Sequence, residues 1–275
     1  MIRYYTRVCN FYFGNQSKIL VNKKKSIPLH QIKEISFDHV EIITRKTIRR
    51  ISINKIKQLP KNLKKKINID LNKIKSKKIN FSNFNFKKIP NILGVLNLTP
   101  DSFSDGGKFN KKNKGISHAI NLFKNGASLV DVGGESTRPG SKPVNEKQEW
   151  NRINQILKLI VKKIPISLDT RKSGIMENSI RMGVKLINDV SGLNYDPETI
   201  NILKKYKIPF VIQHSVGRPE NMQKNPKYKN ELLDIYDYFE HKIKLIRSKG
   251  IKHNNIILDP GIGFGKNLKH NMNLI

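Results

Sequence analysis

The 275-residue sequence has one cysteine, Cys9, and one tryptophan, and only 21 acidic side chains stand against 53 Lys+Arg. A single cysteine cannot form an internal disulfide, which excludes a disulfide-stapled secreted domain and fits a reducing, cytoplasmic setting. No apolar run approaches the roughly 18 residues of a membrane span. The opening Met1-Ile-Arg-Tyr-Tyr-Thr-Arg lacks the apolar core of a signal peptide. The length suits one main domain with a small appendage.

What is abundant is positive charge, a formal +32. Residues 1–90 carry 23 basic and 4 acidic side chains, and the rest carry 30 and 17. Such a balance admits a non-catalytic basic protein that binds nucleic acid through its first 90 residues. Against it, the cations are mostly Lys, whereas bidentate phosphate grip and base reading favour Arg. The Lys also travel with Asn and Ile, as in Lys61-Asn-Leu-Lys-Lys-Lys-Ile-Asn. An anionic small-molecule substrate fits the same field, so nucleic acid is the weaker reading.

The chain has no internal repeat. Residues 1–88 read as a basic N-terminal extension of unassigned role, with two short strands at Phe37 to Thr44 and Thr47 to Ile53. In Lys61 to Lys78, neither a helical nor a strand period wins. Phe84-Asn-Phe-Lys-Lys-Ile-Pro90 marks a boundary, and residues 89–275 form a second domain.

In that domain apolar runs alternate with helical stretches. The runs are Ile92 to Leu96, Ser128 to Val132, Pro165 to Leu168, Val184 to Ile187, Pro209 to Ile212 and Asn255 to Leu258. Near-continuous apolar runs suit parallel strands buried on both faces. Helical spacing appears in Ile116, Ile120 and Phe123 before Gly126, from Trp150 to Ile160, after Asp196-Pro197, and from Leu232 to Ile246. This grammar predicts an α/β fold. Each strand ends in a polar group: Asn97, Asp131, Asp169, Asn188, His214 and Asp259. A doubly wound sheet brings only the strands beside its switch point to one crevice, whereas a (β/α)8 TIM barrel gathers every carboxyl end at one mouth. The expectation is therefore a barrel with about six of eight units, incomplete at Ile275.

Two loops carry chemistry. Asn97-Leu-Thr-Pro-Asp-Ser-Phe-Ser-Asp-Gly-Gly107 offers the Asn97 carbonyl to a hard cation such as Mg²⁺. It also holds the acid Asp105 and a lone aromatic, Phe103, suited to closing over a planar ligand. Asp131-Val-Gly-Gly-Glu-Ser-Thr-Arg-Pro-Gly140 offers Thr137 and Arg138 to an anionic group. Deeper, Asp169, Asn188 and Asp259 suit the donors of a heteroaromatic ring. Asp189 fits a capping role, and His214 a wall. No HExxH or CxxC spacing points to zinc. Asp259-Pro-Gly-Ile-Gly-Phe-Gly-Lys266 lacks the spacing of a P-loop.

The three segments Gly94 to Gly107, Asp131 to Gly140 and Asp259 to Lys266 closely resemble dihydropteroate synthases. The resemblance, over about residues 91–275, implies a TIM-barrel transferase of folate biosynthesis. Such enzymes join 6-hydroxymethyl-7,8-dihydropterin diphosphate to 4-aminobenzoate, release pyrophosphate, and are sulfonamide targets. It implies Mg²⁺ and diphosphate at Asn97, the pterin diphosphate at Thr137, and the pterin ring at Asp169, Asn188 and Asp259, with Asp131 lining the substrate site. Phe103, Arg138 and Pro139 would enclose 4-aminobenzoate, and Asp169, Asp105 and Arg138 would be the catalytic groups. Family members are commonly homodimers. The sequence departs from the family at Gln213, Ser215 and Val216, where methionines and a polar residue are commoner. It also lacks the family's Ser-Arg-Lys segment and late Arg/His anion site, so this chain alone is expected to be inactive or unstable. The other enzyme reading is a pterin-binding methyltransferase domain, against which the Ser-Phe-Ser-Asp-Gly-Gly and Ser-Thr-Arg-Pro-Gly loops argue.

Overall fold

The computed structural model describes residues 3–77, 90–99, 112–136, 141–217, 222–223 and 225–275. The chain divides into two compact units, residues 1–79 and 80–275.

The first unit is built on a long central strand. β1 (Tyr5–Phe13) is followed by helix α1 (Gly14–Asn22), β2 (Ile27–Leu29), β3 (Ile32–Ile43), β4 (Ile48–Ser52) and helix α2 (Lys61–Lys75). β3 pairs antiparallel with β1 along one edge and with β2 and β4 along the other. The two strands expected from the sequence are β3 and β4, and their turn closes through Thr44, whose backbone N–H donates to the Thr47 carbonyl at 2.8 Å. The stretch after Lys61 is a correction: it is a helix, not an unresolved pattern. Leu63, Ile67, Leu71 and Ile74 lie on one face at helical spacing and pack with Phe37, Val40 and Ile51. The exposed Ile69 blurred that period in the sequence.

The second unit is an alternation of strands and helices. It runs β5 (Leu93–Asn97), α3 (Lys112–Lys124), β6 (Leu129–Gly133), α4 (Glu146–Ile160), β7 (Ile166–Asp169), α5 (Ser173–Met182), β8 (Leu186–Asp189), α6 (Thr199–Tyr206), β9 (Phe210–Gln213), α7 (Glu231–Ser248), β10 (Ile256–Asp259) and α8 (Leu268–Leu274). All six strands are parallel and lie in chain order, from β5 at one edge to β10 at the other. A doubly wound sheet reverses its order at a switch point. This sheet does not, so it has the strand order of a (β/α)8 barrel, with six of the eight units present. Helix α5, which the sequence reading passed over, buries Ile175 and Met176.

Helix boundaries follow local chemistry. Asn145 and Gln148 form a reciprocal capping box at the start of α4. Asn230 caps α7 by accepting from the Leu233 N–H at 3.0 Å. Asp196, expected to cap the next helix directly, accepts from Glu198 N–H at 3.0 Å and from Ser173 N–H at 2.8 Å. It thereby joins the start of α5 to the approach to α6, which begins two residues later than the Asp-Pro signal suggests.

One face of the sheet packs against the helices. Val130, Val132, Ile166, Leu168, Ile187, Phe210 and Ile212 form the main core with Ile153, Leu157 and Ile160 of α4 and Ile235 and Phe239 of α7. The alternate residues point to the opposite face. There Leu129, Leu186 and Val211, with Leu93 and Ile257, make a separate apolar tier toward the amino ends of the strands.

Candidate active site

Strand geometry places a polar tier immediately beyond that apolar one. Side chains alternate along a strand, so the face bearing Leu93, Leu129, Leu186, Val211 and Ile257 also bears Asn97, Asp131, Asn188, Gln213 and Asp259. On β7 the same face carries Ser167 and Asp169, since Ile166 and Leu168 belong to the helix-packed core. The registers Asn97↔Gly133, Gly133↔Asp169 and Asp169↔Asn188 bring Asn97, Asp169 and Asn188 level with one another. Asp131, paired with Ser167, lies one same-face position deeper, and Gln213 and Asp259 lie one further out, because Asn188 pairs with Val211. The result is a polar cup at the carboxyl edge with an apolar floor.

His214, expected among the six polar ends, is not in the cup. β9 ends at Gln213, so Gln213 shares the face of Val211 and His214 turns toward the helices. It packs edge-on to Tyr238 with ring centroids 4.8 Å apart, near Tyr228 and Phe239. Lys266, 3% exposed, donates to His214 Nδ1 at 3.2 Å and to the carbonyls of His214 at 3.2 Å and Phe264 at 2.9 Å. Burial and the Lys266 charge lower the His214 pKa to about 4, so its imidazole is neutral and accepts on Nδ1. Burial likewise brings Lys266 down to about 8. This lysine clasps its own loop to the end of β9 and is not the phosphate lysine of a P-loop. The loop is further shaped by Asp259, whose Oδ1 accepts from the Gly261 N–H at 2.7 Å.

Within the cup, Asn188 Nδ2 donates to Asp131 Oδ2 at 2.9 Å, across the intervening strand β7. Asp131 lies in mid-strand, deeper than a strand end. Burial raises the Asp131 carboxyl above its ordinary range. It raises Asp169 well above, reinforced by the negative charge of Asp131. Gly133 leaves room between these groups. A Cβ there would sit 3.4 Å from Asn97 Oδ1 and 3.5 Å from Asp169 Oδ2, so two oxygen donors border one small gap. Four buried polar atoms of this face, Asp131 Oδ1, Ser167 Oγ, Asn188 Oδ1 and Gln213 Nε2, have no hydrogen-bond partner among the described residues.

The loop after β6 is anchored by a buried ionic network that sequence spacing did not reveal. Arg171 makes a bidentate contact with Glu135, at 3.0 Å from both Nε and Nη2. Lys172 donates to Glu135 at 2.9 Å and also to Glu149 of α4. The Arg171 guanidinium lies 4.0 Å over the Tyr195 ring. These pairings pull the Glu135 carboxyl down, whereas burial holds Glu149 up. Gly134 permits the close approach to α4, because a Cβ there would meet Ile153 Cγ2 at 2.8 Å and the Glu149 carbonyl at 2.9 Å. A cavity of about 560 Å³ is walled by the loops that follow β6 to β10, including Glu135, Arg171, Ser191, Tyr195, Ser215 and Phe264. That volume is typical of a small-molecule site. Phe103, Asp105, Thr137, Arg138 and Pro139 lie outside the described residues.

The sequence profile of the pterin binding enzyme family matches residues 93–275. The chain is 42% identical over 197 residues to the dihydropteroate synthase of Clostridium beijerinckii, an alignment covering 71% of each chain. Its fold superposes on the Yersinia pestis dihydropteroate synthase in a sulfonamide drug complex with a TM-score of 0.67, at 38% identity and 70% coverage of each chain. The Xanthomonas albilineans dihydropteroate synthase with 4-aminobenzoic acid gives a TM-score of 0.61 and 33% identity, with 67% of this chain and 66% of that one covered. The methyltransferase and nucleic-acid readings draw no support from these similarities, and among the described residues no helix is long and apolar enough to cross a membrane. The chain belongs to the dihydropteroate synthase family, the pterin-binding transferases of folate biosynthesis.

Proposed function

We propose that the cup binds the pterin ring of 6-hydroxymethyl-7,8-dihydropterin diphosphate, and that 4-aminobenzoate enters by the cavity between the loops that follow β6 to β10. Their condensation forms dihydropteroate and releases pyrophosphate. The observation that carries this reading is the shared face of Asn97, Asp131, Asp169, Asn188 and Asp259, drawn from five strands to the carboxyl side of one sheet. A pterin presents N–H donors along one edge. The buried, unpartnered acceptors Asp131 Oδ1 and Asn188 Oδ1 suit such donors. Leaving a buried polar atom unpaired costs about 1–3 kcal/mol, which a ligand N–H recovers.

Asp169 serves the chemical step. Its carboxyl holds a proton more readily than an ordinary aspartate while the cup is dry and Asp131 is charged. Positive charge growing on the pterin methylene, as its bond to the diphosphate oxygen breaks, favours the carboxylate form, which in turn stabilises that charge. The neutral amine of 4-aminobenzoate forms the new C–N bond and then loses a proton, so no activated protein nucleophile is needed. Thr137 binds the diphosphate, Phe103, Arg138 and Pro139 enclose the aminobenzoate ring, and Asp105 and Arg138 join Asp169 in the catalytic group. The Asn97 carbonyl is the kind of hard oxygen donor that Mg²⁺ prefers. Asn97 would hold the ion, which when bound would supply charge neutralisation for pyrophosphate. We assign the protein to the cytoplasm, in keeping with its single cysteine, and to a homodimer by the resemblance to its family.

The test is calorimetric titration with 6-hydroxymethylpterin diphosphate. Asn188→Ala and Asp169→Asn are expected to weaken binding about 10- to 100-fold, as for loss of a buried hydrogen bond to a charged or polar partner. A folded wild-type chain that ignores the pterin, or variants that bind it unchanged, would refute the assignment. Turnover by these 275 residues alone is expected to be absent, because the sequence contains no Ser-Arg-Lys segment; pterin-dependent pyrophosphate release would contradict that.

A further inference from the structure

Gln213 is a side chain of the polar face with no role in the reading so far. It is 3% exposed, it faces the same way as Val211, and it is level with Asp259 on β10. Its Nε2 is buried and has no acceptor among the described residues. A buried amide donor without a partner is rare and costs about 1–3 kcal/mol. Neighbouring Asn188 and Asp131 satisfy each other in part, but that bond uses Asn188 as the donor and leaves only acceptors over. Gln213 therefore adds an amide donor to a cup that otherwise offers three carboxylates, Asn188 Oδ1 and the Ser167 hydroxyl.

We infer that Gln213 is a specificity-determining residue of the pterin site, donating from Nε2 to an acceptor of the bound ring, a carbonyl oxygen or a ring nitrogen. The inference rests on the pterin reading above and refines it. A planar heterocycle with donors on one edge and acceptors on another is held in one orientation only when the cup supplies both kinds of partner. A pocket built to hydrogen-bond its ligand rejects a ring that lacks the matching atom far more strongly than an apolar wall of the same shape.

The consequence has opposite signs for the free and the bound protein, which a purely structural residue would not produce. Gln213→Met keeps the length of the side chain and removes the donor. The free protein loses a buried unpaired group, so its Tm is expected to hold or rise. Affinity for 6-hydroxymethylpterin, measured by titration calorimetry on the full chain, is expected to fall about 10-fold. Gln213→Glu, with an acceptor where the donor was, is expected to bind more weakly still. Pterin binding by Gln213→Met equal to wild type overturns the inference and leaves the proposed function standing. A loss of Tm that runs parallel to the loss of affinity in both variants also overturns it, since the side chain then only supports the fold. Failure of the folded wild type to bind 6-hydroxymethylpterin removes the proposed function itself, and the two failures are thereby told apart.

Discussion

Asp189 and Asn188 are adjacent, and the strand turns them to opposite faces. Asn188 joins the cup, whereas Asp189, almost wholly buried, accepts from the Ser191 N–H at 2.8 Å and the Ser191 hydroxyl at 2.6 Å. This is the loop-capping role its sequence position suggests. Its other oxygen, Oδ2, has no partner among the described residues, and burial raises the carboxyl to about 6. A carboxyl raised on folding favours the native state while it is protonated, and that stability is lost as pH climbs from the unfolded value near 4 through about 6. The loss from this one residue is expected to be about 3 kcal/mol. Urea unfolding of wild type and Asp189→Asn between about pH 4 and 7 should show the variant gaining relative stability across that window; parallel curves would rule the mechanism out. At this scale the acids and amides of the site were legible because a polar residue closing an apolar run is conspicuous. Gln213 was not, because His214 beside it is the more chemical-looking residue. Only the position of the strand end, and with it the alternation of faces, decides which of the two looks into the cup.

At the scale of elements, the strand–helix alternation was readable because β5 to β10 are short apolar runs and α3, α4 and α7 carry clean helical spacing. Helix α2 was hidden by Ile69, an apolar residue on its exposed face. The network joining the loop after β6 to α4 could not be read at all. Glu135, Glu149, Arg171 and Lys172 are far apart in the chain, and surface and buried charges look alike in a sequence. Its weight is nonetheless testable. Glu149 is 0% exposed and its described ion-pair partner is Lys172. Removing one member of a buried pair leaves an uncompensated charge and costs about 3–5 kcal/mol, whereas removing both is far milder. Lys172→Met is expected to lower stability by that amount. Lys172→Met with Glu149→Leu should recover most of it, since Glu135 keeps Arg171. Denaturant titrations of the singles and the double close the cycle, and a double variant worse than either single would show the pair to be a net stabiliser rather than two mutually compensating costs.

For the whole molecule, the question left by the sequence is what a formal charge of +32 is for. The charge is spread over both parts of the chain, and the pterin-binding profile covers only residues 93–275, so the basic first unit lies outside the region that defines the family. The cup within that region carries Asp131, Asp169 and Asp259 above its apolar floor, yet the proposed substrate carries a diphosphate. A net positive chain with carboxylates in its cup can separate two tasks: the long-range field draws the anion in, and the short-range carboxylates grip the ring. Steering of this kind acts on the association rate and is screened by salt, with a screening length of about 10 Å at 0.1 M falling to about 3 Å at 1 M. The association rate of 6-hydroxymethylpterin diphosphate is therefore expected to fall roughly 10-fold between low and high salt in stopped-flow binding, and that of uncharged 6-hydroxymethylpterin to change little. The comparison isolates charge because both ligands present the same ring to the same cup. Equal salt dependence for the two would mean that the excess of lysine does not serve this substrate.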